Sequence, residues 1–284
     1  MNLIQLMQTY ENHPVDGKVM LTRNTRECGK SIAQVYKEGL LKDYVSVQSD
    51  KVFDKCRYIM AFIATESDKC VYVAAYKIIS QSTLCEVKKI KSIPDLGMPE
   101  FYKDSKLYYE LEEIEFMPDL KDRLIISWGK STVKWAQYLA PKEVVEILPT
   151  GYVKEFPGFD DLILSFSDLK TIIDNKDANR EWHRQLSSVA GVYLILDTVT
   201  GSQYVGSAYG KEGILGRWAT YAKTHHGGNQ QLIALLEQYP DRYNYFQYSI
   251  LKILPTALVK DDVLKYETLY KQKLGTRVFG LNSN

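Results

Sequence analysis

The sequence lacks several features that would place it in a familiar class of protein. No apolar stretch approaches the roughly 18 residues that a membrane-spanning helix needs. The amphipathic N-terminus has neither the basic start nor the long apolar core of a secretory signal. Cys28, Cys56, Cys70 and Cys85 include no Cys-x-x-Cys pair and no histidine at zinc spacing. We therefore expect free thiols in a reducing compartment, and a soluble cytoplasmic protein with no membrane partner.

An imbalance of charge is also lacking. The 284 residues include 36 Lys and Arg against 35 Asp and Glu, a formal net charge of +1. After residue 185 there are 10 Lys and Arg against 7 Asp and Glu, which leaves 26 against 28 before it. An excess of 10 − 7 = 3 positive charges is too small to predict a nucleic-acid partner by itself. The length and the 45% apolar content are those of a globular chain with two domains.

Two short apolar runs in the last third of the chain predict a β-hairpin. The runs are residues 189–196 and 203–207, and the residues between them have turn chemistry. A two- or four-residue loop centred on positions 198 and 199 pairs residues whose numbers sum to 397, so Tyr193 lies opposite Tyr204. The two phenols either share a site or simply pack together, and the pairing alone leaves both open.

Residues 213–224 have the periodicity of a helix. Ile214 and Trp218 recur at four-residue spacing on its apolar face. Arg217 and Tyr221 are also four residues apart, so they lie one above the other on the neighbouring face. This spacing brings a cation close to another phenol.

A second helix, predicted over residues 262–274, has a carboxylate in its apolar stripe. The stripe is formed by positions 263, 267, 270 and 274, and Glu267 occupies the second of them. Burying an unpaired charge costs several kcal/mol, roughly, so Glu267 needs a cation, a metal ion or a proton. The alternative is a carboxylate that reaches the edge of the stripe and pairs with Lys271.

In this order, the residues resemble the GIY-YIG nuclease family, and the resemblance covers residues 189–284. The family has two tripeptide motifs, an arginine in the first helix, a tyrosine or histidine one turn later, a metal-binding glutamate and a late asparagine. The matching residues here are Gly191-Val192-Tyr193, Tyr204-Val205-Gly206, Arg217, Tyr221, Glu267 and Asn282. Valine replaces isoleucine in both tripeptides. Tyr221 stands where some members carry histidine, which leaves open which side chain accepts the proton.

The resemblance implies an α+β domain, with helices around a three-stranded antiparallel sheet, that cleaves DNA. The catalytic residues it implies are Tyr193, Tyr204, Arg217, Tyr221, Glu267 and Asn282. Glu267 would hold a single Mg²⁺ or Mn²⁺ ion, and Arg217 would supply positive charge at the phosphoryl group. Either Tyr193 or Tyr204 would be the general base, a role that needs a phenol pKa lowered by a nearby cation.

Polar residues between and after these helices complete the predicted site. His225 and His226 are adjacent and cannot both ligate one ion comfortably, so we expect them to donate to phosphate together with Asn229, which also caps a new helix. Residues 245–253 are predicted to form the third strand. In the family's manner, Asn282 is expected to hydrogen-bond near the scissile phosphate.

Residues 1–165 are predicted to form a strand-rich domain that reads DNA. We expect helices at about 2–12 and 30–39, and strands at 57–64, 70–79, 106–111, 123–128 and 143–148. Such strands form a small barrel or a curled sheet. The pattern resembles, more weakly, the PUA-like barrels that read modified bases. Trp128, Trp135 and Tyr138 either stack on a base or belong to the core.

Residues 166–188 are predicted to form a helical connector between the two domains. Ser167 is a good helix cap, and residues 175–186 continue as a polar helix. A connector of this kind holds two domains at a restricted angle. His183 within it is expected to be structural or exposed.

The predicted function is DNA hydrolysis by a restriction or phage-defence nuclease with an N-terminal recognition domain. No helix-hairpin-helix motif is visible, which argues against excision repair. Two alternatives from other classes are a catalytically silent nucleic-acid-binding module and a ligand-sensing protein. The sequence does not predict the recognition site, base modification of the DNA, nicking against double-strand cleavage, or the oligomeric state.

Overall fold

The computed structural model describes most of the chain and divides it into two compact units. The described residues are 1–11, 18–24, 31–65, 68–96, 103 and 106–282. The units are Met1–Leu148 and Pro149–Asn284. Among the described helices, none is long and apolar enough to cross a membrane. The prediction of free thiols is confirmed for Cys56, Cys70 and Cys85, and Cys28 lies outside the described residues.

The first unit is built on an eight-stranded mixed sheet with short helices. Its helices are α1 (Leu3–Met7), α2 (Ile32–Lys37), α3 (Leu41–Ser46) and α4 (Leu84–Lys88). Its strands are β1 (Val19–Asn24), β2 (Val47–Gln48), β3 (Tyr58–Ala64), β4 (Lys69–Thr83), β5 (Leu107–Ile114), β6 (Leu124–Ser127), β7 (Ala136–Tyr138) and β8 (Val144–Ile147). Strand β1 runs parallel to β3 and antiparallel to β7.

The prediction left open a small barrel or a curled sheet, and the described strands form one branched sheet that does not close into a barrel. The five predicted strands are present as β3, β4, β5, β6 and β8, but β1, β2 and β7 were missed. The strands follow the order β2-β5-β4-β3-β1-β7, with β6 paired to β4 and β8 to β6. Within the part of the chain that the structure describes, no pairing joins β7 back to β2 or β8. Strand β1 was missed because all six of its residues are buried, including the polar ones at its end. Such a strand does not show the alternation of apolar and polar residues that identifies a half-buried strand.

Apolar clusters cover both faces of this sheet. Along β3, Ile59 and Ile63 join one cluster while Met60 and Phe62 join the other. This alternation is what a strand buried on both faces requires. Trp128 packs in one of these clusters and is 1% exposed. Among the three aromatic residues considered above, it alone is confirmed as a core residue.

The second unit has a four-stranded antiparallel sheet surrounded by helices. Its strands are β9 (Ile163–Ser165), β10 (Val189–Asp197), β11 (Gln203–Ala208) and β12 (Phe246–Pro255). Its helices are α5 (Phe166–Asp174), α6 (Arg180–Ser187), α7 (Gly213–Thr224), α8 (Gln230–Gln238), α9 (Lys260–Leu274) and α10 (Thr276–Phe279). The strand order is β11-β10-β12-β9. The prediction of a three-stranded sheet therefore missed β9. This strand pairs with β12 although the two are far apart in sequence.

The predicted connector is part of the core of the second unit. Leu169 and Ile172 on α5, and Trp182 and Leu186 on α6, are fully buried in it. The Trp182 Nε1 also donates to the carbonyl of Lys154, at 2.7 Å. The compact units divide after residue 148, and neither the predicted boundary at 165 nor a separate connector is seen. Because most residues of α6 are polar, the sequence did not indicate that its one apolar pair, Trp182 and Leu186, is buried in the core.

The hairpin formed by β10 and β11 has a register that differs from the prediction. Tyr193 lies opposite Gly206, and Tyr204 lies opposite Ile195. The Asp197 N–H donates to the Ser202 carbonyl at 2.9 Å, so four residues, 198–201, connect the hydrogen-bonded pairs and the turn is centred one residue later than predicted. A shift of two residues keeps each side chain on its face, so both tyrosines still share one side of the ribbon.

A buried carboxylate at the end of β10 organises the loop that follows. The Asp197 side chain is 0% exposed and accepts from Arg242 Nε at 2.9 Å. It also accepts from the Thr200 hydroxyl at 2.7 Å and the Val199 N–H at 3.0 Å. Burial alone would raise the pKa of Asp197, but these hydrogen bonds and the charge of Arg242 together hold it below its ordinary value.

We expect Asp197→Asn to destabilise the second unit by about 3 kcal/mol at pH 7, because Arg242 loses its counter-charge in a mostly buried position. A lowered folded-state pKa contributes stability that is present above the unfolded pKa of about 4 and lost as pH falls through the folded pKa. The difference in free energy of unfolding between the parent and the variant should therefore become smaller below pH 4. Urea unfolding at pH 7 and at pH 3 measures it. The exposed carboxylate of Asp241 supplies the control, and an equal loss in Asp241→Asn contradicts the assignment.

Candidate active site

An open cleft in the second unit collects side chains from one strand and two helices. Its volume is about 650 Å³. Tyr204 and Ser207 come from β11, Arg217 from α7 and Glu267 from α9, while Glu212 lies just before α7. Residues that are far apart in sequence thus face one water-filled space. All of these groups are polar or charged at their tips.

Arg217 is held in the cleft by two phenols. Its Nε donates to Tyr193 Oη at 3.2 Å, and one terminal nitrogen donates to Tyr221 Oη at 3.4 Å. The guanidinium carbon lies 5.0 Å from the centroid of the Tyr221 ring. Burial alone would lower the pKa of Arg217, but the neighbouring phenols raise it above its ordinary value. A guanidinium has five N–H donors, so three remain for a ligand in the cleft.

The two phenols that hold Arg217 are themselves buried. Tyr193 and Tyr221 are both 0% exposed, and their hydroxyl oxygens lie 3.1 Å apart. Burial raises the pKa of both phenols above the ordinary value, and the charge of Arg217 only partly opposes it. Tyr193 therefore does not have the lowered pKa that the role of general base was expected to need. Both act as neutral hydroxyls at physiological pH.

Tyr204 is the motif phenol that lines the cleft. It is 8% exposed, and its ring centroid lies 6.5 Å from that of Tyr193 and 6.4 Å from that of Tyr221. The three rings form one aromatic cluster. Of the two tyrosines that the sequence left open as proton acceptor, Tyr204 lines the cleft and Tyr193 does not.

Two glycines make room for the buried tyrosines. A Cβ at Gly206 would lie 2.5 Å from Tyr193 Cζ. A Cβ at Gly227 would lie 2.5 Å from a Tyr221 ring carbon, and φ at this residue is +55°. Gly206 of the second tripeptide is therefore required because the ring of Tyr193, from the first tripeptide, occupies the space where a side chain would lie. No other residue fits beneath Tyr193 without moving it.

Glu267 has two partners within the protein. Its carboxylate accepts from the Ser207 hydroxyl and lies 2.7 Å from Lys271 Nζ. The side chains of Lys271 and Glu267 are 9% and 15% exposed. The alternative of a pair with Lys271 is therefore what the structure shows, and the charge of Glu267 does not by itself demand a metal ion. Glu267 nevertheless lines the cleft beside Arg217.

The donor set of the cleft fits a hard divalent cation held by few protein ligands. Each carboxylate oxygen has two lone pairs, so Glu267 can accept further contacts beyond Ser207 and Lys271. Glu212 supplies a second carboxylate in the same cleft. Among the described residues there is no group of three or more His, Cys, Asp or Glu side chains that could hold a metal. Mg²⁺ is commonly bound through one or two carboxylates with substrate phosphate and water, which these residues allow.

Asn282 does not face the cleft. Its Nδ2 donates to the Val205 carbonyl at 2.8 Å, and its Oδ1 accepts from the Val205 N–H at 2.9 Å. The side chain is 5% exposed. Both ends of the amide bind the backbone of β11, and the contact with the scissile phosphate stays a prediction. Asn282 fixes the strand that carries the second tripeptide.

The three residues predicted to bind phosphate are placed elsewhere. The ring of His225 stacks on Tyr243, with centroids 3.8 Å apart. His226 Nδ1 accepts from the Gly228 N–H at 2.9 Å. Asn229 caps α8 through the Leu232 N–H at 2.9 Å, as the capping prediction had it. His225, His226 and Asn229 do not line the cleft, because they follow the C-terminal end of α7 whereas Arg217 lies within it.

Ser207 and Glu212 were not singled out from the sequence. Ser207 follows the second tripeptide directly and binds Glu267. The sequence feature that could have identified Ser207 is a hydroxyl near the end of a mostly apolar strand. Glu212 precedes α7 and gave no signal, because an acidic residue before a helix is usual.

No protein-family model matches the sequence, and no curated protein matches it. Two solved structures do. A mutant of the catalytic domain of intron endonuclease I-TevI is 23% identical, covers 34% of this chain and 94% of its own, and has a TM-score of 0.28. The catalytic domain of homing endonuclease I-TevI is 25% identical, covers 33% of this chain and 96% of its own, and also has a TM-score of 0.28.

Proposed function

We propose that the second unit is a GIY-YIG-type endonuclease that hydrolyses DNA phosphodiesters with Mg²⁺ or Mn²⁺. The observation that carries the proposal is Arg217. It is half-buried, held by two neutral phenols, and faces the same cleft as Tyr204 and Glu267. An arginine fixed in this way is suited to a phosphoryl group, whose oxygens match its planar fork of donors.

The proposed roles follow from the charges that hydrolysis creates. As water attacks phosphorus, negative charge develops on the phosphoryl oxygens, and the free N–H donors of Arg217 are placed to stabilise it. Tyr193 and Tyr221 position the guanidinium before substrate arrives, so it needs no reorganisation during the reaction. Tyr204, as its phenolate, is the proposed acceptor of the proton that the attacking water loses, because of the two motif tyrosines it is the one that lines the cleft.

Glu267, and with it Glu212, would hold the divalent ion. The chemistry that such an ion supplies when bound is Lewis-acid stabilisation of the leaving oxygen and a non-bridging oxygen. Ser207 orients the carboxylate of Glu267 by donating to it. Lys271 neutralises the carboxylate of Glu267, and its buried stem keeps the pair in place.

The decisive experiment is cleavage of supercoiled plasmid by the full chain with Mg²⁺ or Mn²⁺. Nicked or linear products that disappear with EDTA support the proposal. Intact plasmid at saturating Mn²⁺, with DNA binding retained, instead identifies a catalytically silent binding module. Binding of free ligands without DNA binding identifies a ligand sensor.

We further propose that the biological role is restriction or phage defence, with the first unit recognising the target. The support is the presence of a separate unit with its own two-faced core. Sequencing the ends produced from modified and unmodified phage DNA tests this role. Random ends, with no preference between the two DNAs, contradict it.

Arg217→Lys is expected to slow single-turnover cleavage by about 100- to 1000-fold although the charge is kept, as for loss of one preorganised donor at a developing oxyanion. A lysine ammonium is a point charge and cannot donate to Tyr193 and Tyr221 while also contacting two phosphoryl oxygens. Binding in Ca²⁺ should change little, because one phosphate contact among several carries a small share of the affinity.

The matched control is Lys211→Arg, which alters another cation of the same cleft. It should cleave at the parent rate. Cleavage by Arg217→Lys within a few-fold of the parent, or a collapse of binding in step with cleavage, makes Arg217 a docking residue.

A further inference from the structure

Lys271 is a buried cation beside the carboxylate that the proposed site assigns to the metal ion. It lies one turn after Glu267 on α9, and its Nζ is 2.7 Å from Glu267 Oε1. Its side chain is 9% exposed, whereas the other lysines of this helix, Lys260, Lys265 and Lys273, are exposed. A lysine is rarely buried unless its charge is paired. The burial of Lys271 is therefore coupled to the negative charge of Glu267.

Both oxygens of the Glu267 carboxylate have a partner within the protein. Oε1 faces the Lys271 ammonium, and Oε2 accepts from the hydroxyl of Ser207 on β11. The carboxylate is held from two sides, by its own helix and by the strand that carries the second tripeptide. Its side chain is 15% exposed and lines the cleft. Glu267 therefore meets the cleft as part of a neutral pair and not as a lone negative charge.

A positive charge this close opposes the binding of a second cation to the same carboxylate. A charged neighbour within about 6 Å commonly changes the affinity of a carboxylate for a proton by roughly 10- to 1000-fold. The same repulsion acts on a divalent cation, which carries twice the charge. Both side chains are mostly buried, so dissolved ions screen the repulsion little. Glu267 is therefore a weak metal ligand while the Lys271 ammonium stays beside it.

The same contact changes how the cleft receives a phosphate. Glu267 and Arg217 line one cleft, so a phosphate that binds Arg217 also meets the charge of Glu267. With Lys271 in place that negative charge is offset, and the phosphate is repelled less. Lys271 therefore acts on the two kinds of ligand in opposite directions, because it disfavours a cation and favours an anion.

We propose that Lys271 is a positioning residue that holds Glu267 in the metal-free protein and competes with the divalent ion for its carboxylate. The inference rests on the proposed function, in which Glu267 holds that ion. The free protein then binds metal weakly but still admits DNA. The ion is loaded together with a phosphate, whose oxygens supply further ligands and negative charge.

The first test is calorimetric titration of the full chain with Mn²⁺ in the absence of DNA. Lys271→Met should bind Mn²⁺ about 10-fold or more tightly than the parent, because the repelling charge is lost while Glu267 remains. Lys271→Arg keeps the charge and should keep the weak affinity of the parent. The matched control is Lys273→Met, which removes an exposed lysine of the same helix and should leave the Mn²⁺ affinity unchanged.

The double variant E267Q/K271M shows whether the gain acts through Glu267. It should bind Mn²⁺ no more tightly than the parent, because the carboxylate that Lys271→Met exposes to the ion is absent. Lys271→Gln also removes the charge but keeps a hydrogen-bond donor beside Glu267. It replaces Lys271→Met in each measurement if the methionine variant is recovered unfolded.

The second test is binding of a short labelled DNA duplex in EDTA, where the proposed nuclease cannot act. Lys271→Met should bind the duplex more weakly than the parent, although it binds Mn²⁺ more tightly. A variant that had only lost stability would lose affinity for both ligands. Opposite changes in the two affinities therefore distinguish the proposed competition from a purely structural role of Lys271.

Equal or lower Mn²⁺ affinity of Lys271→Met overturns the inference, and so does a gain in affinity that persists in E267Q/K271M. Duplex binding in EDTA that is not weakened by Lys271→Met also overturns it. Plasmid cleavage by the parent alongside any of these results leaves the nuclease proposal standing. Tighter Mn²⁺ binding through Glu267 in a protein that leaves plasmid intact supports the inference and overturns the nuclease proposal.

Discussion

Replacing Tyr204 with phenylalanine is expected to slow cleavage by about 100- to 10,000-fold, the range for loss of a general base. The hydroxyl is the only atom removed, and it belongs to the motif phenol that lines the cleft. The ring remains to pack against Tyr193 and Tyr221, so the fold should be unchanged. Single-turnover cleavage in Mn²⁺ measures the rate, and binding in Ca²⁺ confirms that the variant still takes up DNA.

Two further tyrosines give this experiment its controls. Tyr209→Phe removes a hydroxyl from the same cleft at a residue that is 44% exposed, and should leave the rate unchanged. Tyr193→Phe removes the acceptor for Arg217 Nε and should reduce the rate less than Tyr204→Phe, because it acts through Arg217. If Tyr193→Phe is the more damaged of the two, the proton acceptor is not Tyr204.

Glu267→Gln is expected to reduce cleavage by about 1000-fold or more if Glu267 has its proposed role, because loss of a carboxylate that holds the metal ion would remove several kcal/mol of transition-state stabilisation. The same change removes the negative charge that pairs with the buried Lys271 ammonium in this structure, which is itself destabilising. A fall in activity alone would therefore not distinguish a catalytic carboxylate from a structural one. Isothermal titration with Mn²⁺ adds a readout that a purely structural role would not change.

The double variant E267Q/K271M separates the two roles. Methionine replaces the ammonium with an apolar side chain of similar length, so the double variant should regain the stability that Glu267→Gln loses. It should not regain cleavage or Mn²⁺ affinity. Recovery of cleavage together with stability would show that Glu267 serves only to pair with Lys271.

The parts of the site that follow local periodicity could be predicted from the sequence. Arg217 and Tyr221 share a face because a helix brings residues four apart together. Tyr193 and Tyr204 share a face because strand side chains alternate, and an error of two residues in register does not change this. The register itself depended on the position of the turn, where Asp197 accepts from the Thr200 hydroxyl and the Val199 N–H.

The parts that depend on distant contacts could not be predicted. Asn282 was expected in the cleft from its place in the motif, but its amide satisfies the backbone of Val205, seventy-seven residues earlier in the chain. His225 was predicted to donate to phosphate, but in the structure its ring stacks on Tyr243. In the first unit, the burial of β1 on both faces removes the alternation by which a strand is recognised.

The burial of α5 and α6 in the second unit decides where the protein can be cut for use elsewhere. A fragment of the second unit intended for fusion to a DNA-binding protein must begin near Pro149 and not at the first tripeptide. A module that began at residue 189 would lose β9 and leave part of β12 as an unpaired edge, beside the apolar surface that Trp182 and Leu186 had covered. Unpaired edges next to exposed apolar surface favour aggregation. The position of the first amino acid of such a fusion would determine whether it remains in solution.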